Sequence, residues 1–279
     1  MSVHSMSNRK PKKMIIHIIL IVGAIIMTTP FLWMVLTSLK TFGESTQVPP
    51  VIFPSHLEWK NFSEIFITLP FFNFYWNTVF TTFFKTLGQL VFCSLAAYAF
   101  ARINFPAKNF LFILLLSILM VPNQAYIIPQ YLIMVKLEWL NSLKALIVPG
   151  ITSAFGTFLL RQFFLTIPSE LEDAAKLDGC NHFQIYWRVM LPLAKPGLIA
   201  HAIFTILWSW NDLMWPLIVN NSPSKMPLSA GMASLQGQYM TDFPVLMAGS
   251  LLATWPMILM FIVLQKQFVE GIALTGTKG

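Results

Sequence analysis

Uncharged apolar stretches recur along this chain at lengths that suit membrane crossings. Between Lys13 and Lys40 lie 26 residues without a formal charge, and a transmembrane helix needs about 20 apolar residues to cross a hydrocarbon layer of about 30 Å. Residues 14–39 are therefore a predicted first transmembrane helix. A secretory signal would have an apolar core of about 7 to 15 residues followed by a small-residue cleavage site. The run here is longer, and Thr37, Ser38, Leu39 and Lys40 supply no such site, so it is expected to stay as an anchor. Further spans are predicted at roughly Val79–Ala101, Phe110–Tyr131, Leu143–Leu165, Gly197–Val219 and Phe243–Leu264. Lys144 and Arg161 bracket only 16 uncharged residues in the fourth, and Asp212 interrupts the fifth. Both stand as spans because long basic side chains near helix ends extend toward the interface.

Composition agrees with the pattern. Only 10% of the 279 residues are charged and 56% are hydrophobic, whereas a soluble domain carries about 25% charged residues. A mean hydropathy of +0.67 excludes a disordered chain as well. The net charge of +7 does not form the clustered basic patch of a nucleic-acid binder, and no nucleic-acid partner is expected. It follows the positive-inside rule instead. Twelve Lys and Arg fall on one side: Arg9, Lys10, Lys12, Lys13, Arg102, Lys108, Arg161, Lys176, Arg188, Lys195, Lys266 and Lys278. Five fall on the other: Lys40, Lys60, Lys136, Lys144 and Lys225. The N-terminus (1–13), the loop 166–196 and the C-terminal tail (266–279) are thus predicted cytoplasmic, and residues 40–72 extracytoplasmic. The outer stretches Thr41–Thr78 and Asn220–Asp242 show no helix or strand pattern of any strength. Cys93 and Cys180, far apart in unlike surroundings, read as free thiols.

The loop Ile167–Pro196 is the one long polar stretch with clear helical grammar. Ser169 followed by Glu172 reads as a capping box, with Glu170, Glu172 and Asp173 at the favourable end of the helix dipole and Gly179 as a left-handed stop. Asn181 and Gln184 repeat the box for a second helix, whose Phe183, Tyr186, Trp187 and Met190 form an apolar ridge that Pro192 ends. A helix lying on lipid headgroups would carry Lys and Arg on its polar face. The acidic residues here favour docking to a protein.

In order, Asp173, Ala174, Ala175, three residues, Gly179, nine residues, Val189, one residue, Leu191 and Pro192 resemble the EAA loop of permease subunits in ATP-binding-cassette importers. Asp173 stands where that family usually has Glu, and Val189 where it usually has Ile. Further matches run through Ser38-Leu39-Lys40-Thr41, Ala96 to Arg102, Ile128-Pro129, Trp210-Asn211, Pro216-Leu217 and Gln267 to Gly271. Together they are similar to carbohydrate-importer permeases, in particular the second permease of maltose-type systems, whose tail ends near Lys-Gly as Lys278-Gly279 does here.

The resemblance implies an all-α integral membrane protein of six transmembrane helices, with type I importer architecture and a permease domain at 73–265. It implies a bacterial inner-membrane location, a second homologous permease, a cytoplasmic ATPase dimer, an extracytoplasmic solute-binding protein, and a sugar or oligosaccharide as solute. Glu172, Asp173, Ala174, Ala175, Gly179, Val189, Leu191 and Pro192 would be the ATPase-coupling residues. A glycerol phosphodiester or polyol is the alternative solute.

Among residues within the spans, Asn77, Lys85, Asn123, Gln124 and Asp212 are candidates for the solute path. The polar ones could equally serve helix–helix hydrogen bonds. Lys85, about 10 Å into its predicted span, is expected to extend to the outer interface. Asp212 reads either as path lining or as an interface marker. Its being the single intramembrane carboxylate argues against an ion-coupled secondary transporter. The Trp and Tyr content matches interfacial aromatic belts. No cofactor is expected: Gly271 to Lys278 misses the phosphate-loop order, because Thr277 precedes Lys278, and no catalytic or metal motif stands out, so the chain is not expected to be an enzyme.

Overall fold

The computed structural model describes residues 9–237 and 240–276, with side chains from Met14 to Gln265 apart from residues 238 and 239. The charges of Arg9 to Lys13, Lys266 and Lys278, which contribute to the expected sidedness, and the Lys278-Gly279 ending lie outside the described side chains. Among the described residues there are helices and turns and no strand. Among the described residues four helical segments, Met14–Ser38, Phe71–Arg102, Leu143–Thr166 and Phe243–Gln265, are long and apolar enough to cross a bilayer, and six spans result if each of two bent pairs counts as one.

The described chain divides into two compact units, one of residues up to Leu69 with Ser234–Thr254, the other of Pro70–Ala233 with the chain from Trp255. In the first unit, α1 (Arg9–Ser38) exposes its apolar side chains from Met14 to Trp33, Met27 at 82%. In water such a surface would aggregate, and a bilayer accounts for it. The segment after α1 was expected to lack helices but holds two, α2 (Phe42–Thr46) and α3 (Lys60–Thr68). A Thr41–Glu44 capping box starts α2. The second Glu44 oxygen accepts from the Ser55 hydroxyl at 2.5 Å and its amide at 2.9 Å. These bonds, the Ser55 hydroxyl first, hold the Glu44 carboxyl down to about 2. Asn61 donates to the Ser38 and Lys40 carbonyls at 2.9 Å each, and the buried Lys40 ammonium lies 4.1 Å from the Trp33 ring centroid. Burial lowers the Lys40 pKa against the opposing pull of Glu44.

The second unit is built on α4 (Phe71–Arg102), a 32-residue helix that follows Pro70 and starts eight residues before the expected Val79. Its polarity is inverted. Asn77, Thr78, Thr81, Thr82, Lys85, Thr86, Gln89 and Ser94 lie on its buried face, while Phe83, Leu87 and Phe92 face outward. That buried face packs against α8 (Ala154–Thr166) and α12 (Lys195–Trp210). His201 of α12 is fully buried against Gly156 of α8, where any Cβ would strike its imidazole ring. The two helices meet closely because Gly156 has no side chain.

The predicted continuous span Phe110–Tyr131 is instead two helices, α5 (Lys108–Ser117, extended by a 3-10 turn to Met120) and α6 (Ile127–Lys136, preceded by a 3-10 turn from Asn123), bent by 100°. Pro122 is the cause: it has no N–H to donate and disfavours the helical region at Val121, which takes φ −90°, ψ 120°. α7 (Leu143–Ile147), capped by Ser142, leads through Pro149 into α8. The span expected to reach Val219 ends at Trp210. After a break at Asn211 to Leu213 the chain continues as α13 (Met214–Val219) and α14 (Leu228–Ala233), and the long α15 (Phe243–Gly276) follows.

Candidate functional site

The loop 166–196 folds as α9 (Ser169–Leu177), α10 (His182–Ile185), a π-helical turn Tyr186–Met190 and α11 (Leu191–Leu193), then bends by 77° into α12. The expected Ser169–Glu172 capping box does not form: Pro168 precedes the helix and no side chain caps it. Glu172 faces two cations instead. It is 4% exposed, with one carboxylate oxygen 3.9 Å from Arg102 Nε and the other 3.5 Å from Lys176 Nζ. Arg102, in the last turn of α4, also donates through Nη2 to the Phe164 carbonyl at 2.6 Å and to the Ile167 carbonyl. The last carbonyls of a helix have no intrahelical partner and carry its negative dipole end. One guanidinium therefore closes the end of α8 and holds α9 beneath the end of α4.

With Glu172 and Ala175 turned inward, α9 presents Glu170, Leu171, Asp173, Ala174 and Leu177 outward, Leu177 at 90% exposure, and its C-cap Asp178 is exposed beside them. Ala175, expected beside Ala174 on the docking face, belongs to the core beneath it. Asp173 accepts from Lys176 at 3.2 Å, and this bond first, then Glu172, raises the Lys176 pKa.

Gly179 adopts φ +82°. Around it the Cys180 amide donates to Ala175 and the Gly179 amide to Lys176, both at 3.0 Å, which is the Schellman arrangement of a helix end. The Asn181–Gln184 box forms as predicted, with bonds of 2.9 and 2.8 Å. The predicted apolar ridge divides. Tyr186 and Met190 are buried with Ile185, whereas Phe183 and Trp187 stay 66% and 60% exposed. Tyr186 is pinned by its hydroxyl, 2.7 Å from Ser94 Oγ on α4. Val189 and Leu191 are half-buried against the same core, and Pro192, expected to end the second helix, lies exposed one residue before the end of α11.

Of the candidate path residues, the structure joins Lys85 and Asp212. The Lys85 ammonium lies 3.3 Å from the Asp212 carboxylate, with side chains 11% and 28% exposed. Lys85 lies about 21 Å along α4 from its start at Phe71, and its ammonium is turned to Asp212. Asp212 sits in the break between α12 and α13. Beside the pair, Thr82 donates to Ser209 at 3.1 Å, Thr205 to Gln89 at 2.9 Å, and Gln89 to the Gly150 carbonyl at 2.8 Å. Asn77 instead anchors a loop, donating to the Ser224 and Met226 carbonyls at 2.9 Å each. Asn123 and Gln124 lie exposed at the Pro122 bend, outside this seam. Sequence reading missed Arg102 as a clamp, although a cation in the last turn of a long helix was a visible signal.

Helices with apolar exteriors, a buried polar seam and a short helix held against the ends of α4 and α8 characterise a membrane-spanning protein. Residues 89–273 match the family described as binding-protein-dependent transport system inner membrane component, and the chain belongs to that family. It is 36% identical over 262 residues to the arabinooligosaccharides transport system permease protein of Halalkalibacterium halodurans, covering 92% of this chain and 93% of that protein. The sn-glycerol-3-phosphate transport system permease protein of Yersinia enterocolitica is 30% identical, covering 95% of this chain and 97% of that protein. A chain in the crystal structure of a bacterial ABC transporter that imports the acidic polysaccharide alginate has the same fold, with a TM-score of 0.83 at 23% identity, covering 96% of this chain and all of that one.

Proposed function

We propose that this chain is a permease subunit of an ATP-binding-cassette importer for a sugar or oligosaccharide. It pairs with a second homologous permease, receives solute from an extracytoplasmic binding protein, and is driven by a cytoplasmic ATPase dimer that carries out the hydrolysis. The observation that carries this reading is the placement of α9: its outward face is free, while its inward face is clamped by Arg102 to the ends of α4 and α8. Force applied to Asp173, Ala174 and Leu177 reaches both spans through one ion pair and one helix cap. The loop 166–196 and both termini are cytoplasmic in this reading, supported by the distribution of Lys and Arg.

The solute assignment draws on the arabinooligosaccharide relatives and on the neutrality of the seam. Lys85, the cation there, is paired with Asp212, and the other buried polar side chains of α4 are hydroxyls and amides. Such a lining suits an uncharged polyhydroxylated solute better than a phosphate ester. Replacing Asp173 by Lys in the assembled complex should abolish most solute-stimulated ATP hydrolysis and uptake. Unchanged rates would remove the coupling role. Stimulation by a glycerol phosphodiester and not by neutral oligosaccharides would transfer the assignment to that solute.

A further inference from the structure

Where α4 turns into α5, Asn104, Phe105 and Ala107 border an open cavity of about 480 Å³ that the loop 166–196 does not line. Ala107 takes φ +59° there, and Lys108 from the start of α5 shares the cavity with Arg161 of α8. Neither cation has a carboxylate within ion-pairing distance among the described residues. Lys108 reaches only the Ala101 carbonyl at 3.4 Å. Arg161 is held through Nε by the Phe100 carbonyl at 3.1 Å and by its face, 4.2 Å over the Phe112 ring, which leaves its terminal nitrogens for a ligand.

Two like charges at one cavity repel unless an anion lies between them. The exposed amides of Asn104 and Asn109 add neutral donors at the rim. From this cavity α5 leads away with Phe110, Ile113, Leu114 and Ile118 exposed at 66%, 65%, 55% and 55%. Their i, i+3, i+4, i+8 spacing makes one apolar stripe. A free anion would use only the cationic end of this surface. A lipid with an anionic headgroup would use both ends.

We propose that the cavity binds the phosphate headgroup of an anionic phospholipid, whose acyl chains lie along α5. In the orientation proposed above it opens to the cytoplasmic leaflet, where anionic lipids meet juxtamembrane basic residues.

Native mass spectrometry of the full importer complex, titrated with phosphatidylglycerol and with phosphatidylcholine, tests this. Lys108→Gln should lower phosphatidylglycerol occupancy about five-fold and leave phosphatidylcholine unchanged. Asn109→Asp, an exposed change that the first turn of a helix tolerates, should act in the same direction, and Lys136→Gln should have no effect. Equal occupancy in all variants, or no preference for phosphatidylglycerol in the unaltered complex, overturns the proposal. So does displacement of the lipid by inorganic phosphate at comparable concentration, which would assign the cavity to a free anion.

Discussion

At Gly179 the backbone alone decides what is tolerated. An added Cβ would meet nothing within 4 Å, yet φ is +82°. A substitution there strains the turn without a clash, at about 1–2 kcal/mol for an ordinary residue and less for Asn, which visits this region readily. Gly179→Asn should therefore keep most solute uptake and Gly179→Val should lose most of it. Equal uptake in the two variants would show that the angle between α9 and α10 carries no force. Gly179 and the Asn181–Gln184 box were legible because each is settled within a few residues. Glu172 was not. The local pattern offered it a role in capping, but Arg102, the cation it faces across helices, lies 70 positions away.

Between elements, two charged links should behave alike. Removing one member of a buried ion pair leaves the other uncompensated, at a cost of about 3–5 kcal/mol, whereas replacing both by apolar residues is often neutral. Lys85→Met and Asp212→Leu should each lower the thermal midpoint of the purified complex, and the double variant should recover most of the loss. Additive losses would mean that the two side chains do not interact. Arg102→Met removes a charge partner and two carbonyl caps at once, so it should destabilise more than Glu172→Gln in the same thermal assay, and the opposite order would contradict the clamp. Both links escaped sequence reading for one reason. Hydropathy finds apolar windows but not which face of a helix is inside, and in α4 the polar face is the buried one. Bends are similarly invisible to a window average. Pro122 was a visible breaker inside the predicted third span, and its consequence is a 100° turn.

For the whole molecule, scarcity of charge identified the membrane, and family membership followed from matches spread over most of the chain. An all-α membrane protein was legible from the apolar runs, and its importer architecture from the resemblance of the 173–192 loop to the EAA motif. Helix starts, breaks and the partners of buried polar groups depend on the packing of distant segments and were not. The central claim is that the outward face of α9 seats on a cytoplasmic ATPase. Leu177, at 90% exposure, is the most open apolar side chain of that helix and offers the most direct probe. With Leu177→Cys in the assembled transporter, a short thiol cross-linker should join this chain to the ATPase subunit, and the yield should change when ATP is bound. Absence of any such cross-link in a complex that still takes up solute would contradict the account.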